Sequence, residues 1–376
     1  MRFTSRPTQF ALGEAVARAT AVVRADWGAK VPGLGIAVAV DGALVWAQAF
    51  GYADLATRLP VCLTTRFRIG SVSKPLTAAG LALLVERGQL NLDAPVQTYL
   101  PDFPEKGAVI TTRLLAGHLS GIRNYRGREI LSTKPFNSLR AGLKLFEDDP
   151  LESPPGTKFS YCSYNYNVIG AIMEAVTQQS FLDFMEKNVI GPANLAHTCA
   201  DHGGDPDASV ARFYETQATG KYLMAPSVDH SYKWPAGGFL STAEDLARFG
   251  SALLQAGLLK PASRQLLFTP QGTKDGTPTG YGIGWFVEPE FVHHGGDSVG
   301  GASILLLHPG SRTVVAITSN GSQLLLRTLI RQGKVSRQAR QSLLDKTAVA
   351  KRVARIFASL SLSPAAQQAN GNRDRR

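Results

Sequence analysis

Residues 33–54 read GLGIAVAVDGALVWAQAFGYAD, two apolar runs on either side of the dipeptide Asp41-Gly42. Asp-Gly between two runs of apolar and β-branched residues is a strong local signal for a tight β-hairpin. Because strands that follow one another through short turns pair antiparallel, the pattern predicts an antiparallel sheet built from both ends of the chain. The second group of short strand-like runs is found near the other end, at residues 281–287, 291–294, 302–308 and 313–319.

The middle of the chain has a helical pattern instead. Residues 71–87 are rich in Ala and Leu and are followed by Gly88, a common helix stop signal. Another helix is predicted after Ser241-Thr242, a capping pair followed by acids in the first turn. Strands at both ends with helices between them indicate an α+β fold class: an antiparallel sheet flanked by helices, with a mainly helical region inserted.

Length and composition are those of an ordinary globular protein. The 376 residues are 44% hydrophobic and 18% charged. No internal repeat and no Pro/Ser-rich linker divides residues 30–325. The expected divisions are a domain over about 10–325, its sheet part at about 10–70 and 236–325, its helical part at about 71–235, and a basic segment at 326–376.

The formal net charge of +11 at pH 7 is concentrated at one end of the chain. Residues 326–376 contain twelve Lys or Arg residues and only two acids, so they carry nearly all of the excess. A nucleic-acid-binding domain has its basic residues clustered on the folded body, whereas the body is close to neutral here. The charge distribution therefore predicts no specific nucleic-acid partner.

The basic segment contains a predicted amphipathic helix. Such a helix can lie on an anionic membrane surface or bind a partner, and it can also pack on the body with its basic face in solvent. The composition of residues 363–376, SPAAQQANGNRDRR, predicts a disordered tail. The apolar residues that recur at helical spacing are Val349, Val353, Ile356, Phe357 and Leu360.

Signals for membrane insertion or export are not recognisable. No run of about 18 apolar residues is present, so no transmembrane helix is predicted. Glu14, Arg18 and Arg24 interrupt the apolar residues of the N-terminus, as in an amphipathic helix. The expected compartment is the cytoplasm if this N-terminus is native and the periplasm or exterior if a signal has been removed. The oligomeric state is left open.

No metal or cofactor is expected. Cys62, Cys162 and Cys199 have neither C-x-x-C nor metal-ligand spacing. His293, His294 and Asp297 contain ligand atoms, but adjacent residues of a strand point to opposite faces. The segment CADHGGD at 199–205 also holds potential ligands, and its composition is typical of a polar loop.

Residues 70–75 read GSVSKP and hold the one S-x-x-K match in the chain, from Ser71 to Lys74. On a helix these residues are i and i+3 and share a face. Ser71 falls at or just before the predicted helix N-terminus, where free N–H groups suit an oxyanion. A serine hydroxyl becomes a nucleophile only beside a base, and a desolvated Lys or an ionised Tyr can serve. The short match alone decides nothing, because it can occur by chance.

Five further segments strengthen the match. With GSVSKP they resemble the serine β-lactamases and penicillin-binding proteins, whose nucleophile lies in S-x-x-K. The details resemble the class C branch and its relatives: D-alanyl-D-alanine peptidases, family VIII esterases and mitochondrial β-lactamase-like proteases. The resemblance covers about residues 30–320 and implies the β-lactamase/DD-peptidase-like fold. The segments are AGHLSGIRNY (116–125), FSYCSYNYNVIGAIMEAV (159–176), WPAGGFLSTAEDLARF (234–249), YGIGW (281–285) and HHGGDSVGGASILLLHPG (293–310).

This resemblance implies roles for individual residues. Ser71 would be the nucleophile, Lys74 would form or stabilise the base, and Tyr161 would act as a phenolate that takes the Ser71 proton and later activates water. The backbone N–H groups of Ser71 and Asp297 would form the oxyanion hole. The expected substrate-binding residues are Ser163, His294, Gly296 and Asp297, with His294 orienting Tyr161 or the substrate.

Two positions depart from the family pattern. Ser163 replaces the Asn of Y-x-N, and His294 replaces the Lys of K-T-G. Losing that fixed charge argues against efficient β-lactamase action and fits peptidase, esterase or protease relatives. The expected function is a serine hydrolase that acts through an acyl-enzyme on an ester, a peptide or a D-amino-acid amide. The alternatives are a true β-lactamase and a catalytically quiet scaffold or sensor of the same fold.

Overall fold

The structure is a computed structural model that describes residues 9–204, 209–217, 219–255, 257–331 and 344–361. Its main sheet has seven strands, and each neighbouring pair is antiparallel. In spatial order they are β3 (Leu59–Pro60), β2 (Ala43–Asp54), β1 (Gly33–Val40), β12 (Thr313–Ser319), β11 (Gly301–His308), β10 (Val292–Ser298) and β9 (Phe286–Val287).

The predicted hairpin forms the N-terminal part of this sheet. Strands β1 and β2 pair up to Val40 and Ala43, and the two residues between them have positive φ angles, 52° at Asp41 and 84° at Gly42. Positive φ at both positions is the requirement of the tightest hairpin turn, which Asp-Gly meets. Because β1 also pairs with β12, the two ends of the chain share one sheet. The α+β fold class is thus confirmed.

The sheet is buried on both faces. Ile36 and Val38 of strand β1 lie in one hydrophobic core, whereas Ala37 and Ala39 lie in the other. This alternation follows from the two-residue period of a strand. It explains why the strands read as continuous apolar runs instead of alternating apolar and polar residues.

Helices cover both faces and form most of the middle of the chain. The shorter strands build two three-stranded sheets: β4 (Phe67–Arg68), β8 (Phe239–Ser241) and β5 (Cys199–Ala200), then β13 (Gly321–Ser322), β6 (Tyr214–Thr216) and β7 (Tyr222–Met224). The described α-helices are α1 (Gln9–Asp26), α2 (Ser73–Glu86), α3 (Thr112–Ala116), α4 (Leu139–Gly142), α5 (Tyr164–Thr177), α6 (Phe181–Met185), α7 (Trp234–Gly237), α8 (Ala243–Leu254), α9 (Pro261–Phe268), α10 (Leu324–Arg331) and α11 (Lys346–Ser361). None of the helices in the described ranges is long and apolar enough to cross a membrane.

One predicted strand is mostly absent. Of residues 281–287 only Phe286 and Val287 are paired as a strand. Gly284 has φ +82°, and a Cβ at this position would lie 2.6 Å from the Cβ of Ala78 and 3.2 Å from the carbonyl oxygen of Lys74. The segment therefore turns sharply to pack on helix α2, which a continuous strand could not do.

The predicted basic helix is present as α11, and its apolar side is covered. Val349, Val353 and Phe357 are buried in the core that α11 forms with α1 and the sheet. The helix thus packs on the body, one of the arrangements that the sequence left open, and contact of the basic segment with a membrane surface or a partner stays a prediction. Four basic residues of the helix also pair with acids of the body: Lys346 with Asp297, Lys351 with Glu288, Arg352 with Asp26, and Arg355 with Glu290. The predicted disordered tail lies outside the described residues.

Candidate active site

Ser71 lies where strand β4 leads into helix α2. A 3₁₀ turn over Gly70–Val72 precedes the helix, and Ser71 is half-buried. Gly70 has φ +50°, and a Cβ there would lie 2.6 Å from the carbonyl oxygen and 2.9 Å from the nitrogen of Asp297. Only glycine permits this close approach. The turn therefore brings Ser71 against the backbone of strand β10.

Lys74 is fully buried beside Ser71. Its Nζ donates to Ser71 Oγ at 3.1 Å, to Ser163 Oγ at 3.2 Å and to the carbonyl oxygen of Ala236 at 2.7 Å. All three acceptors are uncharged, so burial dominates and lowers the pKa of Lys74 to about 7. A substantial fraction of this amine is therefore neutral near pH 7, the form that can accept a proton.

The side chain of Tyr161 packs beside Ser71 and Lys74. Its ring centroid lies 5.0 Å from Lys74 Nζ. Among the described residues its hydroxyl makes no hydrogen bond of good geometry, although Ser71 is near enough to lower its pKa. Burial is the larger effect and raises the pKa of Tyr161 well above its ordinary value. The environment thus favours a neutral phenol over the phenolate that the resemblance implies, because burial disfavours the charged form.

Ser163 and the loop before it hold these groups in place. The Ser163 hydroxyl is engaged by Lys74, and its backbone N–H donates to Asn124 Oδ1 at 3.1 Å. Asn124 Nδ2 donates in turn to the Tyr161 carbonyl oxygen at 3.3 Å. The Asn124 side chain therefore holds both Tyr161 and Ser163, the two ends of the Tyr161-Cys162-Ser163 segment.

His294 is buried beside the Tyr161 ring. Burial, followed by the charge of Lys74, lowers the pKa of His294 well below its ordinary value. Its Nδ1 lies 2.8 Å from the carbonyl oxygen of Gly295 and its Nε2 lies 3.1 Å from the hydroxyl of Tyr281. The ring centroids of His294 and Tyr161 are 6.0 Å apart, so His294 contacts Tyr161 by packing and through Tyr281. His293 turns to the other face and contacts Glu288 at 3.1 Å, so the two histidines do not converge on one ion.

Gly296 and Asp297 form the sheet side of the site. A Cβ on Gly296 would lie 1.9 Å from the carbonyl oxygen of Ile69, so strand β10 and the turn before Ser71 pack backbone to backbone. The carboxylate of Asp297 pairs with Lys346 Nζ at 2.8 Å. The backbone of Asp297, which was predicted to contribute to an oxyanion hole, packs against Gly70, the residue before Ser71.

His118 is a neighbour of Tyr161 that the sequence did not single out. It is buried, with φ +58°, and its carbonyl oxygen accepts from Ser160 N at 2.9 Å while its Nδ1 accepts from Cys162 N at 3.2 Å. Its ring centroid lies 4.3 Å from that of Tyr161. His118 therefore supports Tyr161 from both flanking residues. It lies within AGHLSGIRNY, but a sequence pattern does not reveal an unusual backbone angle.

The assembled geometry can be compared with known proteins. The family model described as Beta-lactamase matches residues 19–332, well over half of the chain. The chain belongs to the β-lactamase family. This result confirms the resemblance to serine β-lactamases and penicillin-binding proteins and the fold that the resemblance implied.

Three known proteins are similar to this chain, the third in fold alone. The human "Serine beta-lactamase-like protein LACTB, mitochondrial" is 31% identical over 381 residues, covering 74% of this chain and 69% of that protein. The penicillin-binding protein of Bacillus halodurans is 25% identical, with a TM-score of 0.70 over 84% of this chain and 98% of that one. The solved structure described as "EstCE1, a hydrolase with promiscuous acyltransferase activity" is 20% identical and has the same fold, with a TM-score of 0.72 over 89% and 99%.

Proposed function

We propose that this β-lactamase-family protein is a serine hydrolase that works through an acyl-enzyme on Ser71. The observation that carries the proposal is the contact between Lys74 Nζ and Ser71 Oγ, 3.1 Å, made by an amine with a pKa of about 7. A serine hydroxyl is activated when a base is within hydrogen-bonding distance and is partly unprotonated at the working pH.

Lys74 acts as the base in this mechanism. Its neutral amine accepts the Ser71 proton as Oγ attacks the acyl carbonyl, and the negative charge of the tetrahedral intermediate faces the backbone N–H groups of Ser71 and Asp297. The neutral Tyr161 hydroxyl, close to Ser71, passes its proton to the leaving group and takes up the proton that Lys74 received from Ser71, so that both groups are neutral again. In the second half of the cycle Lys74 takes a proton from water as its oxygen attacks the acyl-enzyme, and Lys74 then returns this proton to Oγ as the acyl–Oγ bond breaks and Ser71 is released.

The substrate class follows from His294. Because the pKa of His294 is well below its ordinary value, no fixed positive charge stands where the family's K-T-G lysine helps to hold a β-lactam carboxylate. The proposed substrates are therefore acyl compounds that do not depend on such a charge: esters, peptides or D-amino-acid amides. EstCE1, described as a hydrolase, shares the fold of this chain, and an ester is the first of these substrates to test.

The test is mass spectrometry of the purified protein and its Ser71→Ala variant, each incubated with a fluorophosphonate, with a p-nitrophenyl ester and with a penicillin. The proposal expects a fluorophosphonate adduct on Ser71 and ester turnover, both absent from Ser71→Ala. Turnover of penicillin by the wild type alone would make the protein a true β-lactamase and overturn the proposed substrate class. No adduct and no turnover of any compound would contradict the hydrolase and leave a quiet member of the fold.

A further inference from the structure

Helix α11 reaches the active site through its first residue. Lys346 is buried, and its Nζ donates to the carbonyl oxygen of Gly296 at 2.5 Å and to the carboxylate of Asp297 at 2.8 Å. The other ion pairs of the helix involve acids on helix α1 or just before strand β10. Within the described part of α11, Lys346 is therefore the basic residue whose partners belong to the predicted substrate-binding set.

The atoms that Lys346 holds are in contact with Ile69 and the 3₁₀ turn Gly70–Val72, which carries Ser71 and is called the nucleophile turn below. Gly296 packs against the carbonyl oxygen of Ile69, and the backbone of Asp297 packs against Gly70. These two contacts set the distance between the backbone nitrogen of Asp297 and that of Ser71. An oxyanion hole is effective only when its two donors are held in position before the reaction. The contacts of Lys346 with Gly296 and Asp297 therefore affect the spacing of the two proposed donors, the N–H groups of Ser71 and Asp297.

Lys346 also compensates a charge that is unfavourable for the reaction. The side chain of Asp297 is 29% exposed and carries its carboxylate on the residue whose N–H faces the developing oxyanion. A negative charge at that place repels a second one. The ammonium group of Lys346 lies 2.8 Å from the carboxylate and neutralises its charge. The side chain of Asp297 therefore does not repel the oxyanion to which the Asp297 N–H donates in the proposed mechanism.

We propose that Lys346 is a positioning residue of the active site: it fixes the Gly296-Asp297 segment and neutralises the Asp297 carboxylate. The inference rests on the proposed acyl-enzyme function and gives it a component from outside the recognised family segments. In this proposal the basic C-terminal segment contributes to catalysis through the first residue of helix α11.

The test is a double-mutant cycle on ester hydrolysis with the full chain: wild type, Lys346→Met, Asp297→Asn and both changes together. Methionine keeps the apolar stem of lysine and removes the charge. We expect Lys346→Met to lower kcat by about tenfold or more with little change in KM, since the loss acts on the transition state. Asp297→Asn added to Lys346→Met should restore a large part of kcat, because the uncompensated charge is then gone.

The matched control is Lys351→Met on the same helix, which also breaks an ion pair with a carboxylate, that of Glu288. It should leave kcat unchanged. Melting temperatures are recorded for every variant, and Lys346→Gln replaces Lys346→Met in the cycle if the methionine variant is unfolded at the assay temperature.

Three results would overturn the inference while leaving the hydrolase intact. They are a wild-type kcat in Lys346→Met, additive effects of the two changes in the cycle, and equal losses in Lys346→Met and Lys351→Met. Failure of the proposed function is recognised separately, since the wild type itself would then neither turn over the ester nor react with the fluorophosphonate.

Discussion

Two buried lysines approach the nucleophile turn from different elements, and their surroundings differ. Among the described residues Lys74 on helix α2 has only hydroxyl and carbonyl oxygens as acceptors, and burial lowers its pKa to about 7. Lys346 on helix α11 is also buried, but the carboxylate of Asp297 opposes the lowering of its pKa. A buried lysine without a nearby anion, such as Lys74, is suited to proton transfer. A buried lysine paired with a carboxylate, such as Lys346, is suited to remaining charged.

The largest expected effect comes from replacing Lys74 by Arg. A guanidinium cannot give up its proton near neutral pH, so Lys74→Arg should lower kcat/KM for an ester by about 100-fold to 10,000-fold. The matched control is Lys346→Arg, which keeps a positive charge beside Asp297 and should retain most of the activity. Near-wild-type turnover by Lys74→Arg would show that the two lysines do not differ in the way described.

The pH profile is expected to follow Lys74. The neutral amine is the active form, so log kcat/KM should rise with pH until about 7 and level off above it. Lys346→Met should keep this inflection while lowering the plateau, because Asp297 and Lys346 are not the base. Rates for an ester measured from pH 5 to pH 9 check this. An inflection close to the ordinary pKa of lysine would rule out the desolvated Lys74 as the base.

A smaller effect is expected at His118. His118→Asn removes the ring that packs on Tyr161 but tolerates the positive φ, whereas His118→Ala loses both the ring and that tolerance. We expect both variants to lower kcat by about tenfold, through misplacement of Tyr161. Thermal unfolding should show His118→Ala to be less stable than His118→Asn by about 1 kcal/mol. Equal stability with unchanged kcat would assign His118 to ordinary core packing.

Local patterns predicted the parts of the fold that depend on neighbours in the chain. Asp41-Gly42 defined the hairpin because its residues tolerate positive φ, and the S-x-x-K spacing placed Lys74 on the same side of a helix as Ser71. Both features are set by a few consecutive residues. The family segments then indicated which distant residues the fold brings to Ser71.

Features that depend on tertiary contacts could not be predicted in the same way. The turn at Gly284 exists because the segment packs on Ala78. The residues around Gly284 have the composition of a strand, and that composition does not reveal the contact with Ala78. The helical spacing of Val349 and Phe357 predicted an apolar face but not what would cover it. Lys346 was counted as one basic residue among twelve, and only the packing of helix α11 brings it to Asp297.

The sheet that joins both ends of the chain has a consequence for biosynthesis. Strand β1 pairs with β12, and Leu34 lies opposite Ser319. Strand β1 is synthesised early, so it cannot pair with β12 until residue 319 has been made. Pairings of such long sequence separation fold slowly. The nucleophile turn needs β10, and α11 is made later still. An incomplete nascent chain therefore carries Ser71 and Lys74 without a finished site, and the proposed hydrolase activity is expected only after translation has passed Lys346.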